Sequence, residues 1–146
     1  MALILIDNVK YIEGYSALGD QIMPVALFAL PSNLTVATVV DRKPLFSIPW
    51  DNISDIRVGY VQKRGMDAGG AFVLRSIPVL NVLRAGDAQY DGIWITFWDE
   101  EIQRSQSPYF ATRSDRHAHQ LIQKILQHRD TYYRTVGKES KPQHKQ

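Results

Sequence analysis

Apolar residues recur through positions 1–113 in short runs, most alternating with polar neighbours, and turn-forming residues separate one run from the next. Positions 25–30 (VALFAL) and 34–40 (LTVATVV) predict two strands divided by Pro31, Ser32 and Asn33, which favour a turn. The segment 41–44 (DRKP) predicts the next turn, and 45–50 (LFSIPW) the strand after it. Ile56, Val58 and Tyr60 then alternate with Arg57 and Gly59. Positions 63–70 (KRGMDAGG) read as a polar hairpin tip. Positions 72–84 are apolar but broken near Pro78, because proline cannot donate to a central ladder; they predict two short strands or one kinked strand. A last strand is expected at 107–113 (SPYFATR). Short strands at close spacing are the pattern of an antiparallel sandwich or barrel.

The run at 91–101 (DGIWITFWDEE) lacks the wet face usual in a small domain. With a period of two, Ile93, Ile95 and Phe97 point one way, and Trp94, Thr96 and Trp98 the other. The isoleucine set is expected in the core. The two tryptophans share a side, so both should be exposed or both covered, and we expect them outward. Either one tryptophan sits in the core at a bend and the other is covered by a loop or by the N-terminal ALILI, or they form a surface for a partner.

At Ser114 the period becomes helical. Ala118, Leu121, Ile122, Ile125 and Leu126, with Tyr132 and Tyr133 further on, form one stripe of a helix expected over 115–134. Leu121, Ile122, Ile125 and Leu126 should be its buried face. Ser114 or Asp115 supplies the N-cap and Gly137 the stop. One domain over 1–136, followed by a disordered basic tail over 137–146, is the organisation these features predict.

Composition narrows the chemistry. The chain has 146 residues and no cysteine, so disulfides and thiol catalysis are excluded; a reducing cytoplasm fits. The start, MALILIDNVK, has no basic cluster before its apolar run and does not read as a signal peptide. The apolar stretch 22–40 is interrupted by Pro24 and Pro31, which favours a hairpin over a membrane span. The net charge of +2 hides an asymmetry. Positions 1–115 hold 10 Lys/Arg against 13 Asp/Glu, whereas 116–146 hold 7 against 2.

Strands followed by one amphipathic C-terminal helix form a restrictive order. Positions 34–58 (LTVATVVDRKPLFSIPWDNISDIRV), with the step Ile48, Pro49, Trp50 and Ile53, resemble the pleckstrin-homology-like superfold in its short bacterial PH and GRAM type. The EGY of Glu13 to Tyr15 is similar as well. The resemblance implies a mainly β fold, an open barrel of two antiparallel sheets capped by the C-terminal helix. A lipocalin-like barrel also places a helix after its strands, but its Gly-x-Trp is missing near the N-terminus.

No catalytic constellation is legible. All four histidines (His117, His119, His128, His144) lie in the helix or tail, and no Gly-x-Ser-x-Gly occurs. His117 and His119 project about 200° apart on a helix and cannot share a metal. Asp115 and His119 read as a helix-start contact, and Asp99, Glu100 and Glu101 as a solvated turn. Gly65, Gly69 and Gly70 match no phosphate-loop spacing. An enzyme would need Tyr60, Arg75 and Arg113 to converge on a cavity. No catalytic activity, cofactor, metal or small-molecule substrate is expected.

For partners, phosphoinositide binding as in eukaryotic PH domains would need several basic side chains early in the chain, and the first 41 residues hold only Lys10. Nucleic acid is not expected, because the body is acidic and Tyr132 and Tyr133 belong to the helix stripe. The expected role is a non-catalytic interaction module, cytoplasmic, binding itself or another protein through Trp94, Thr96 and Trp98. The alternative is a peripheral membrane adaptor holding acidic lipid through Lys63, Arg64, Arg116 and Lys124.

Overall fold

A computed structural model describes residues 4–63 and 88–137. Eight antiparallel strands appear among them: β1 (Ile4–Glu13), β2 (Met23–Ala29), β3 (Asn33–Thr38), β4 (Pro44–Pro49), β5 (Ile53–Lys63), β6 (Ala88–Asp99), β7 (Arg104–Gln106) and β8 (Tyr109–Thr112). One long helix, α1 (Asp115–Thr135), follows. Strands pair in the order β4-β3-β2-β1-β8-β6-β5, with β7 added beside β6. The fold is mainly β, an open barrel capped by one C-terminal helix. The two expected sheets are continuous, joined where Lys10, Tyr11 and Glu13 of β1 pair with β8. A closed meander would pair β4 with β5. These strands are instead the two ends of the path among the described residues.

Period-two reading places most of the core. Val25, Leu27, Leu34, Val36, Phe46, Ile48, Ile93, Ile95 and Phe97 enter one apolar cluster from alternating positions. The 22–40 stretch forms the β2–β3 hairpin, closed by the Leu30 N–H donating to the Asn33 carbonyl at 2.9 Å. The predicted strand 34–40 stops early: Thr38 is its last residue, and Val40 lies in the turn, 95% exposed. There the Lys43 N–H donates to Thr38 Oγ1 at 2.9 Å, and Arg42 takes a left-handed φ of 56°. Pro44, expected in that turn, starts β4. The reading missed β1 and β7 as strands. The predicted tip 63–70, the strands at 72–84 and the tail lie outside the described residues, apart from the Lys63 backbone and Gly137.

Ser114 caps α1, its hydroxyl accepting the His117 N–H at 3.1 Å, and Gly137 follows the helix end with φ 78°. Ala118, Leu121, Ile125 and Tyr133 are buried against the sheet. Leu126, expected in the buried stripe, is 40% exposed, and Ile122 is half-buried. The buried strip is therefore narrower than the apolar pattern. The Ile48-Pro49-Trp50-Ile53 step anchors the helix. Trp50 is wholly buried and its indole N–H donates to the Leu30 carbonyl at 3.1 Å. From α1, Tyr133 donates to the Trp50 carbonyl at 3.4 Å and Arg129 to the Ile53 carbonyl at 3.2 Å.

Candidate functional site

The two faces of β6 settle differently. Ile93, Ile95 and Phe97 are buried in the core, as the alternation predicts. Trp94, Thr96 and Trp98 share the opposite side but not the same cover. Trp94 is half-buried, packed with Ile12, Tyr109, Ala111, Val61 and Tyr90 in a small outer cluster. Its ring centroid lies 4.8 Å from that of Tyr109, and it fills the space a side chain at Gly59 would need. The Tyr109 hydroxyl lies 2.8 Å from the Gly59 carbonyl and 2.9 Å from the Tyr90 carbonyl. Burial, and then the Asp91 charge, raise its pKa well above the usual phenol value. Thr96 is half-buried and shares a hydrogen bond of 2.8 Å with the Ser107 hydroxyl. Trp98 is 41% exposed.

This split corrects the expectation that both tryptophans share one fate. Trp94 is flanked by two strands, with Arg57 of β5 and Tyr109 of β8 as its partners in register. The β5 pairing ends at Ile53 opposite Phe97, one residue before Trp98. From there β6 is paired only with the three-residue β7. Trp98 thus stands where the barrel fails to close.

That opening is a cleft of about 410 Å³ between β4 and the end of β6. Phe46 and Leu45 line one wall, Phe97 and Trp98 the other, and Glu100 and Glu101 the rim. Tyr15, just past β1, reaches across and stacks on Phe46 with ring centroids 3.8 Å apart. Its phenol pKa is raised, first by burial and then by the Asp99 and Glu101 charges. Asp99 is engaged within its own turn: it accepts the Glu101 N–H at 2.9 Å and the Gln106 amide at 2.6 Å. Asp99 ends β6, and Glu100 and Glu101 form the expected solvated turn, which also borders the cleft. Sequence reading did not find Tyr15 or Phe46 as neighbours, because 31 positions separate them.

Of the four cationic candidates, the structure describes the side chains of Lys124 and Arg116. Lys124 Nζ lies 3.6 Å from Asp7 Oδ2, so a carboxylate of the chain itself already faces it. Arg116 is exposed on the first turn of α1. Arg64 and the Lys63 side chain lie outside the described residues. The same Asp7 oxygen lies 2.6 Å from His117 Nε2, a buried contact the sequence did not reveal. Asp115 and His119 do meet at the helix start, with His119 Nδ1 3.5 Å from Asp115 Oδ2.

Of the residues an enzyme reading would bring together, Tyr60 and Arg113 are exposed, and Arg75 lies outside the described residues. Among the described residues no group of three or more His, Asp or Glu is placed to hold a metal ion. No helix among them is long and apolar enough to cross a membrane. Compared with known proteins, the sequence matches no family model and no curated protein.

Proposed function

We propose that this chain is a non-catalytic interaction module of the pleckstrin-homology-like kind, acting in the cytoplasm. It docks a second copy of itself or another protein through the apolar surface that ends at Trp98. The observation that carries the reading is Trp98, 41% exposed beside an aromatic-lined cleft. Tryptophan is among the residues that most often dominate binding energy at interfaces, and finishing its burial contributes on the order of 1–2 kcal/mol. The kinship is supported by the helix-capped open barrel and by Trp50 and Ile53 sitting where α1 is fastened.

Light scattering over a range of protein concentrations, at low and high salt, tests the reading. The expected result is an oligomer that persists at high salt, because apolar burial is not screened. The Trp98→Glu variant should be monomeric with an unchanged circular dichroism spectrum. A monomer at high concentration that binds anionic vesicles only at low salt overturns the reading in favour of a peripheral membrane adaptor.

A further inference from the structure

The chemistry of the cleft selects among protein partners. Its interior is aromatic: Tyr15 and Phe46 stack with planes 7° apart, and Trp98 lines the side. Its rim is acidic, and among the described residues no Lys, Arg or His lines it. The Asp99 and Glu101 charges contribute to the raised pKa of Tyr15, so the negative field reaches the ring stack. An anionic group is repelled there. A neutral apolar group would cover Glu100 and Glu101 without giving either carboxylate a partner.

We propose that the cleft takes a Lys or Arg side chain carried on an extended segment of the partner protein. This rests on the reading that the Trp98 surface docks protein. The long stem lies along apolar surface while the head stays near water and acid. A cation over an aromatic face is attracted by the ring quadrupole, and charge-assisted hydrogen bonds to Glu100 and Glu101 add direction. The volume of about 410 Å³ falls within the range of about 300–1,000 Å³ for pockets that enclose a ligand, ample for one long side chain.

The test uses the full chain, diluted until light scattering shows a monomer so that the Trp98 surface is free, and a capped Ala-Ala-Arg-Ala-Ala peptide, with citrulline in place of arginine as the neutral control. The readout is the Trp98 indole N–H in a nitrogen–proton spectrum, assigned from its loss in Trp98→Phe. The arginine peptide should move that signal and approach saturation by about 10 mM, tenfold above a dissociation constant of about 1 mM. Citrulline, or the double change Glu100→Gln and Glu101→Gln, should weaken binding about tenfold. No movement of the indole signal through about 10 mM overturns the proposal. So does equal binding of the citrulline peptide, or undiminished binding by the glutamine variant. An oligomer that persists at high salt and that Trp98→Glu dissolves, together with any of those negative results, leaves the docking surface standing and removes only the cation. An oligomeric state indifferent to Trp98→Glu removes the surface itself.

Discussion

Asp7 and His117 pin the start of α1 to β1, and removing them singly and together measures what the contact contributes. The Arg113 N–H donates to His117 Nδ1 at 3.0 Å, so the ring proton sits on Nε2 and is donated to Asp7 Oδ2 at 2.6 Å. Both side chains are largely out of water, 6% and 14% exposed. In His117→Ala, Asp7 keeps its Asn8 N–H at 2.8 Å and a half-exposed Lys124 at 3.6 Å. A buried charge that loses its partner costs about 3–5 kcal/mol, and Lys124 holds the expectation to the lower end, about 3. Asp7→Ala leaves a neutral N–H donor instead, about 1–3 kcal/mol. The double variant leaves neither group stranded, so its cost should fall short of the two singles combined by about 1–3 kcal/mol. Urea denaturation followed by the helix signal in circular dichroism reads all three, provided the denaturant slope is unchanged. Additivity within about 0.5 kcal/mol, or Asp7→Ala costing more than His117→Ala, would refute the reasoning.

Three further outcomes follow from the packing. Leu121→Ala and Ile125→Ala, at wholly buried positions, should each cost about 2–5 kcal/mol in the same assay, and Leu126→Ala well under 1 kcal/mol; equal losses would contradict the observed helix face. Gly92→Ala places a methyl 2.1 Å from the Phe110 carbonyl oxygen across the β6–β8 pair, so it should lower the melting temperature sharply, and an unchanged melt would refute the close approach. Burial raises the phenol pKa of Tyr11, Tyr15 and Tyr109, so the folded chain holds more protons than the unfolded one above about pH 10. That stabilisation is complete below about pH 10 and is lost as pH rises beyond it; a free energy of unfolding no smaller at about pH 11 than at about pH 9 would contradict the sign.

The hairpin at Val25 to Thr38 was legible as two apolar runs bounded by turn residues, although both of its faces are buried, and the Ile93, Ile95 and Phe97 set was legible from its alternation. β1 was not, because two things blur its period. The register shifts between Leu5 and Asp7, so Ile6 is an extra residue and the alternation slips by one position. Val9 and Tyr11 then enter the main core while Ile12, the next residue, is buried on the outer side under the Trp94 cluster. Asp7 and His117 are 110 positions apart, and nothing in a helix-start pattern announces a carboxylate arriving from another strand. The Leu126 expectation failed for the opposite reason. An apolar stripe shows what a helix can bury, but the width of the sheet beneath decides how much of it is covered.

The same distinction separates Trp94 from Trp98. A period of two assigned both correctly to one side of β6 and said nothing about how far the neighbouring strands extend. Cover for an outward side chain comes from residues one strand away on either side. At Trp94 those residues are Arg57 and Tyr109; beyond Phe97, β5 has stopped, and only the short β7 remains. Exposure of a large aromatic at a strand end is therefore a property of unequal strand lengths, which the sequence of one strand does not carry. The failure of β4 and β5 to pair leaves the cleft open beside the same residue. One topological feature thus leaves Trp98 uncovered and also creates the space beside it, which is why the candidate site lies at the open end of the barrel and not at the centre of the Trp94 cluster.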